Sequence, residues 1–374
     1  MRNLILFTAV ILIGCSSQVD MDIDMESLSE TEKFHALLDK EWKKGILNNP
    51  EWATRLGDNR FNDKLNDESY ETIIKRQGET RDLLLDVEGI DRSKLPDDDI
   101  LNYDLYLNGI NKRIQGFEFL SYLMPIDQMG GIQIGFAGIS DYMPFKTVQD
   151  YENYISRMEA FPIKMAQTID LMKRGVESGW VPPKIVLRAV PDQIQSQFEK
   201  PIVESPLYKP FKEFPESIPL DTQQRLLDDV ERVLNDDVYS AYRSLFTYFN
   251  DFYLPACRES IACRDFPNGA EYYRYQIKSY TTTVLTAEEI HQIGLNEVAR
   301  IRAEMMDVIK DAEFKGTFDE FLSFLRTNPE FYFTSEDDLL DAYRVICKKA
   351  DAELPKFFGL LPRLPSRFGG RLYP

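Results

Sequence analysis

Histidine is scarce in this sequence, because only His35 and His291 occur among 374 residues. Two histidines cannot build a zinc site with three histidine ligands, and no His-Glu-x-x-His segment is present. The sequence also lacks the Gly-x-Ser-x-Gly segment of serine hydrolases and the Gly-x-x-x-x-Gly-Lys segment of phosphate-binding loops. It therefore contains no recognisable catalytic or metal-binding motif, and we assign none.

The sequence also contains few basic residues relative to acidic ones, and few long apolar runs. The chain has 44 Lys and Arg against 62 Asp and Glu, a formal net charge of −18. Such a surface repels phosphate backbones, so nucleic acid is excluded as an expected partner. After the N-terminus no apolar run is long enough to span a bilayer. With 43% hydrophobic and 12% aromatic residues, the chain can nevertheless bury a large core.

The N-terminus reads as an export signal. "MRNLILFTAVILIGCSS" places basic Arg2, a short apolar run, a small residue and then Cys15 in the order of a bacterial lipoprotein signal. We predict a signal peptide over 1–14, acylation of Cys15 and a flexible tether over 15–29. A short membrane anchor or a buried N-terminus is the alternative. Ser16, rather than Asp, after the cysteine favours the outer membrane, with the protein facing the periplasm.

The remaining cysteines are expected to meet an oxidising compartment if the chain is exported. Cys257 and Cys263 close the short loop "CRESIAC", and we predict a disulfide between them; two reduced thiols are the alternative. Cys347 falls on the apolar side of a helical pattern and is interpreted as a small core residue. The cysteine spacing matches no compact zinc site.

Helical periodicity dominates the rest of the chain, which predicts a mainly α fold with many helices. Capping signals such as Ser29-x-x-Glu32 open several of these helices. The exception is "MPIDQMGGIQIGFAGIS", where apolar residues alternate and glycine is frequent. We predict a small strand element near 130–136, in which Gly130 and Gly131 permit close approach of another chain or a ligand. An irregular connection under the helices is the alternative.

Two Glu-x-x-His pairs, Glu32 with His35 and Glu288 with His291, have the spacing of carboxylate metal sites on helices. Capping explains them better. Thr286-x-x-Glu289 forms a capping box, and an acidic residue in the first turn of a helix favours the helix dipole. We therefore interpret both pairs as products of acid-rich first turns rather than as metal ligands.

Several segments, among them "PEWATRLGDNRFNDKLND", "DYENYISRMEAFP", "FPNGAEYYRYQIKSY" and "SYTTTVLTAEEIHQIGLNEVARIRAEM", closely resemble the bacterial family called domain of unknown function 885. The resemblance covers about residues 30 to 362. It implies exported lipoproteins with a helical fold related to metallocarboxypeptidases, and a zinc-peptidase-like activity. The family's metal motif, His-Glu-x-x-Pro-Gly-His-His, is not found in this sequence. No catalytic or zinc-binding residue can therefore be carried over, and zinc is expected only in full-length relatives.

The resemblance also shapes the expected organisation. Residues 30–365 would form an incomplete helical domain of the family, and the basic, Gly-rich tail 366–374 suggests a frameshift or premature stop. The expected function is that of the N-terminal part of a zinc-peptidase-like lipoprotein, inactive alone, with the membrane and peptides as partners. The alternative is a lipid-anchored helical binding protein without activity. In either case Gly130, Gly131, Tyr272 and Tyr273 are the candidates for lining its cleft.

Overall fold

The computed structural model describes residues 27–361. The predicted signal peptide 1–14, Cys15, most of the tether 15–29 and the tail 366–374 lie outside the described residues. The chain divides into two compact units, with the boundary between Val284 and Leu285. We refer to residues 27–284 as the first unit and to residues 285–361 as the second unit.

Helices form nearly all of the regular structure, which confirms the mainly α prediction. The first unit contains twelve α-helical segments among its described residues: α1 Glu30–Asn48, α2 Pro50–Arg55, α3 Tyr70–Glu88, α4 Asp97–Gly116, α5 Ile132–Gly135, α6 Val148–Glu159, α7 Phe161–Ser178, α8 Val190–Gln195, α9 Leu220–Val233, α10 Ser240–Tyr248, α11 Leu254–Ala256 and α12 Gly269–Thr281. The described part of the second unit has α13 Ala287–Asp311, α14 Phe318–Thr327 and α15 Glu336–Phe357. Within residues 27–361, extended pairing is limited to one parallel bridge between Pro183 and Arg258.

Local sequence signals explain where many of these helices begin. The Ser29 hydroxyl accepts a hydrogen bond from the Glu32 N–H, and the Glu32 carboxylate accepts one from the Ser29 N–H at 2.9 Å. The same reciprocal capping box opens α6 at Thr147 and α13 at Thr286. Each box satisfies two N–H groups that would otherwise lack a partner at the helix N-terminus. The predicted capping boxes at Ser29 and Thr286 are thus confirmed.

The first unit buries two hydrophobic clusters. The smaller one joins α1, α3 and α4 through Phe34, Val87 and Ile110. The larger one is formed chiefly by α6, α7, α9 and α10, where α6 packs against α9 and α7 against α10. Its centre is rich in aromatic side chains, and Tyr154 and Tyr242 are fully buried there. The larger cluster holds α7 in place beside the glycine-rich segment that follows α4, and α2 packs against α1.

The chain stays helical from Leu220 to Ala256. Two π-helical segments, Leu234–Tyr239 and Phe249–Tyr253, connect α9, α10 and α11 without leaving the helix. Such segments insert an extra residue into the i to i−4 hydrogen-bond ladder and rotate the apolar face that follows. Val238, within the first π-helical segment, and Tyr242, in α10, are both completely buried.

The strand element predicted near 130–136 is wrong. This segment contains the short helix α5 and then a 3-10 helix over Phe136–Tyr142. A tight turn precedes it, because the Asp127 carboxylate accepts hydrogen bonds from Met129 N at 2.6 Å and Gly130 N at 2.8 Å. The Gly131 carbonyl then accepts from Gly135 N at 2.9 Å. The backbone thus finds local partners, and alternating apolar residues do not impose a ladder on it.

The predicted disulfide is not present in the structure, where Cys257 and Cys263 are free thiols. Cys257 is buried, and burial raises the pKa of its thiol to about 12. Cys263 and Cys347 are half-buried. The pairing of Cys257 with Cys263 in an oxidising compartment stays a prediction. No helix among residues 27–361 has both the length and the apolarity that crossing a membrane requires.

Candidate functional site

A cavity of about 420 Å³ opens in the first unit beside the glycine-rich segment. Its walls come from α2, from the loop before α3, from the segment around α5 and from α7. The volume lies in the range that binds small organic ligands. Charged, aromatic and aliphatic side chains meet there: Glu51, Trp52, Arg55, Asn66, Glu68, Pro125, Gly131, Ile132, Gly135, Phe136, Tyr142, Lys164 and Thr168.

Helical spacing places the charged residues on this cavity. Glu51 and Arg55 are four residues apart on α2, so they share one face of that short helix. Lys164 and Thr168 repeat this spacing on α7. Pro50 begins α2, and Gly57, with a φ of +85°, follows its end. The helix has only 6 residues, so one face of it borders the cavity.

A lysine held between two carboxylates forms one wall. The Lys164 ammonium is 2.6 Å from Glu51 Oε2 and 3.1 Å from Glu68 Oε1. The same Glu51 oxygen accepts a hydrogen bond from Asn66 N at 3.0 Å. The Lys164 side chain is only 10% exposed, so this is a partly desolvated network in which both acids are already engaged.

Arg55 stands on the other side without a carboxylate partner. Its guanidinium carbon lies 4.4 Å from the centre of the Tyr142 ring, and Nη2 is 3.4 Å from the Tyr142 hydroxyl. None of the ion pairs formed within residues 27–361 includes Arg55. Trp52, 51% exposed, adds a large aromatic surface at the rim. The arrangement can hold an anionic group next to an apolar one.

A buried arginine supports the loop that completes this wall. Arg157, on α6, is fully buried and donates to the Lys64 carbonyl at 2.9 Å, the Phe61 carbonyl at 3.1 Å and the Thr54 hydroxyl at 2.6 Å. Burial lowers the pKa of the Arg157 guanidinium, and the negative charge of Glu51 opposes that shift. Arg157 therefore fixes the end of α2 and the turn over 59–64 that leads to Asn66 and Glu68.

Hydrogen bonds from two buried side chains hold the segment around α5, which forms the floor of the cavity. The Tyr242 hydroxyl, on α10, donates to the Ile132 carbonyl at 3.2 Å. The Gln133 amide donates to the Asp127 carbonyl at 2.8 Å. Gly131 adopts a φ of +128°, and a Cβ there would meet the Gln133 side-chain oxygen and the Pro125 carbonyl. Glycine is thus required at 131 both for conformation and for space.

Only one of the predicted cleft residues lines this cavity. Gly131 does so, whereas Gly130 belongs to the preceding turn. Tyr272 packs in an aromatic cluster, with its ring centre 5.1 Å from that of Phe119 and 5.2 Å from that of Trp180. Tyr273 is 47% exposed on α12. The structure does not bring the two tyrosines to Gly131, and their role as cleft residues stays a prediction.

Neither histidine is among the residues that line this cavity. His35 Nε2 is 2.9 Å from Asp99 Oδ2, whereas His291 is exposed on α13. Glu32 and Glu289 serve in capping boxes. Among residues 27–361 there is no group of three or more His, Cys, Asp or Glu side chains that could hold a metal ion. The described residues therefore do not fit the zinc ion that the family resemblance implies for full-length relatives.

Comparison with known proteins assigns the family. A sequence model of the family described as "Bacterial protein of unknown function (DUF885)" matches residues 50–368. The chain belongs to the DUF885 family. No curated protein matches this DUF885 chain. A solved structure, "the putative lipoprotein from Colwellia psychrerythraea", is similar with a TM-score of 0.79 at 20% identity. The match covers 90% of the DUF885 chain described above but only 61% of the Colwellia chain.

Sequence reasoning missed most of the site of this DUF885 protein. The segment "PEWATRLGD" contributes Glu51, Trp52 and Arg55, but its pattern indicates only a short helix. The i, i+4 spacing of Glu51 and Arg55 would even predict a local ion pair. Glu51 instead pairs with Lys164, which is 113 positions later. No local signal connects such distant positions.

Proposed function

We propose that the chain is an exported, lipid-anchored protein of the cell envelope whose first unit forms one wall of a peptide-binding cleft. The cavity beside Gly131 carries this proposal, because it combines charged side chains of both signs with an exposed tryptophan. Peptides offer the complementary groups: charged ends, polar amides and apolar side chains. The order of residues before Cys15, and the lipoprotein name of the Colwellia protein, support the anchor and the envelope location.

Zinc-dependent peptide hydrolysis belongs to this proposal only for full-length relatives. The sequence has no His-Glu-x-x-Pro-Gly-His-His segment, and the chain spans 61% of the length of the Colwellia protein. Nothing in residues 27–361 supplies a zinc-activated water, so we derive no hydrolytic step from them. We propose that this chain binds peptides and does not cleave them.

Binding and hydrolysis can be measured on the same preparation. The chain is purified without residues 1–14 and with Cys15→Ser, and labelled peptides are titrated against it by fluorescence anisotropy. Cleavage of quenched fluorogenic peptides is followed with added zinc and with a chelator. We expect saturable binding without cleavage. Absence of binding to any peptide would refute the cleft, and chelator-sensitive cleavage with stoichiometric zinc would refute the statement on hydrolysis.

The lipid anchor has its own test. Expression of the full chain in a bacterial host with a labelled fatty acid should give a labelled, membrane-associated product. The Cys15→Ser variant should lose both the label and the association with the membrane. Separation of inner and outer membranes then decides the location, for which we expect the outer membrane. A labelled Cys15→Ser product would contradict the assignment of the acylated residue.

A second candidate is a stand-alone binding protein with the same anchor. The engaged state of Glu51 and Glu68 favours it, because both acids are bound to Lys164 and neither is free to act as a general base. The two candidates predict different coding sequences downstream of the codon for Pro374. Sequencing the DNA downstream of the codon for Pro374 in all three frames separates them. A His-Glu-x-x-Pro-Gly-His-His coding segment there would favour the peptidase family member, and its absence the binding protein.

A further inference from the structure

We propose that Arg55 is the anchor for a carboxylate group of the ligand, and that the rest of the ligand lies between Trp52 and the surface around Gly135. The inference rests on the proposed peptide-binding role and names the group that is recognised. Neither the family description nor the name of the solved relative assigns any ligand to this cavity.

The first argument is that Arg55, an exposed residue, does not pair with the acidic residue that its own helix offers. Glu51 lies four residues before Arg55 on α2, and an acidic residue in that position is well placed to form an ion pair with a basic one. That carboxylate is bound to Lys164 at 2.6 Å and to Asn66 N at 3.0 Å. Arg55 is therefore left without a carboxylate within 4.0 Å among the described residues, although acids outnumber bases in the chain by 62 to 44.

The second argument is the orientation of the Arg55 group. Tyr142 lies under the guanidinium, with 4.4 Å between the guanidinium carbon and the ring centre. Stacking on an aromatic face restricts the side chain and leaves the N–H groups along its edge available. The one hydrogen bond to the Tyr142 hydroxyl is long, at 3.4 Å. A planar carboxylate can accept two parallel hydrogen bonds from that edge.

The third argument concerns the body of the ligand. Beside the charges, the cavity is lined by Trp52, Pro125, Ile132 and Phe136. A Cβ added at Gly135 would meet no atom within 4 Å, so the cavity is open at that position. The carboxylates of Glu51 and Glu68 disfavour a ligand with several negative charges. A single carboxylate on an apolar or peptide body fits these conditions best.

A peptide can offer that carboxylate at its C-terminus or on an acidic side chain, and three probes separate the two. The probes are a labelled Ala-Ala-Phe-Leu peptide with a free C-terminus, its C-terminal amide, and an amidated Ala-Ala-Glu-Leu peptide. N-acetylphenylalanine serves as an unlabelled competitor that carries a carboxylate without a peptide chain. Binding is measured at about 0.15 M salt, where charges more than about 8 Å apart are screened.

The variants are chosen so that an effect on folding can be distinguished from an effect on ligand binding. Arg55→Ala removes the guanidinium, Arg55→Lys keeps the charge without the planar fork, and Arg274→Ala is the matched control. Arg274 is an exposed arginine on α12, and its one ion pair within residues 27–361 is a surface one with Glu271 at 2.8 Å. Gly135→Leu fills the open side of the cavity, and its φ of −72° accepts any residue without strain. Melting curves confirm that each variant is folded.

We expect a carboxylate-bearing probe to bind the unmodified chain at least about tenfold more tightly than the neutral amide. Arg55→Ala should remove this preference, Arg55→Lys should keep part of it, and Arg274→Ala should not change it. Gly135→Leu should weaken every probe. Equal binding of all peptides, unaffected by Arg55→Ala, would overturn the inference and leave the peptide-binding proposal intact. Binding of N-acetylphenylalanine alone would support Arg55 and refute the peptide cleft, and absence of all binding would overturn both.

Discussion

Replacement of Arg157 by methionine should loosen the wall of the cavity that α2 forms with the turn over 59–64. The Arg157 side chain is fully buried and donates four hydrogen bonds, to the Lys64, Pro50 and Phe61 carbonyls and to the Thr54 hydroxyl. Its partners come from residues about a hundred positions earlier, so the guanidinium cross-links distant parts of the chain. Methionine keeps much of the volume and removes every donor.

The size of the destabilisation by Arg157→Met depends on which hydrogen-bond acceptors lose their only donor. The Phe61 carbonyl keeps the Lys64 N–H. The Thr54 hydroxyl has a single proton, for which Asn62 Oδ1 at 2.7 Å competes with the Pro50 carbonyl at 3.0 Å, so the Pro50 carbonyl is only partly compensated. The Lys64 carbonyl has no other donor in the part of the chain that the structure describes, and an unsatisfied buried acceptor costs about 1–3 kcal/mol. Relief of the cost of burying a charge offsets part of the loss of the charge-assisted bonds. We expect Arg157→Met to lower the free energy of unfolding of the first unit by about 2–4 kcal/mol.

Hydrogen exchange followed by mass spectrometry is the most direct assay, because it reports on the two units separately. Peptides that cover 50–66 should exchange faster in Arg157→Met, whereas peptides from α13 should not change. Arg157→Lys keeps the charge but reaches fewer acceptors, so its effect should be intermediate. Unchanged exchange over 50–66, or a loss below about 1 kcal/mol in urea titrations, would refute the view that Arg157 holds this loop.

Three further predictions test other parts of the structure. Hydrogen bonds from Ser93 and Lys94 lower the pKa of the Asp91 carboxyl from its ordinary 3.8 to about 2. The stability gained from Asp91 is then fully present above about pH 4 and disappears as the pH falls through about 2. Asp91→Asn should therefore be less stable than the original at pH 5, and the difference should vanish below about pH 2 in urea titrations. In the reduced, folded chain, Cys257 should react with iodoacetamide at pH 8 only after unfolding, and fast labelling found by mass spectrometry would contradict its burial. Val298 is 68% exposed, so Val298→Lys should lower the free energy of unfolding by less than about 0.5 kcal/mol and should reduce the binding of a hydrophobic dye. Val230, on α9, is completely buried, so Val230→Lys should unfold the first unit.

Helix positions were largely predictable because their signals are local. A Ser or Thr followed three residues later by Glu specifies a helix start within one turn of chain, as at Ser29 and Thr286. Leu226, Val230 and Val233 likewise recur at helical intervals in the sequence, and their side chains are buried. The π-helical segment at Leu234–Tyr239 was not predicted, since an inserted residue changes the register without any distinctive residue type.

The segment around Gly131 shows where local reasoning fails. Alternation of Ile132, Ile134 and Phe136 resembles a strand, but a strand needs a second strand beside it. Here Asp127 closes a turn, and the following N–H groups bond to the Gly131 carbonyl. The candidate site was missed for a related reason. Its defining contacts join positions far apart in the chain, such as Glu51 with Lys164, and only the folded first unit brings them together.

The second unit shows that an apolar stripe and a buried surface are different things. On α9, the side chains of Leu226, Val230 and Val233 are completely buried. The stripe on α13 has the same helical spacing, yet Val298 and most of its neighbours are exposed, and Ile309 is the one buried hydrophobic residue within residues 285–361. Caps and propensity contribute only a little to the stability of a helix, and burial of its apolar face contributes most. The pattern thus defines which side of α13 is apolar, but most of that side is exposed among residues 27–361, so the pattern alone does not measure how far burial stabilises the helix.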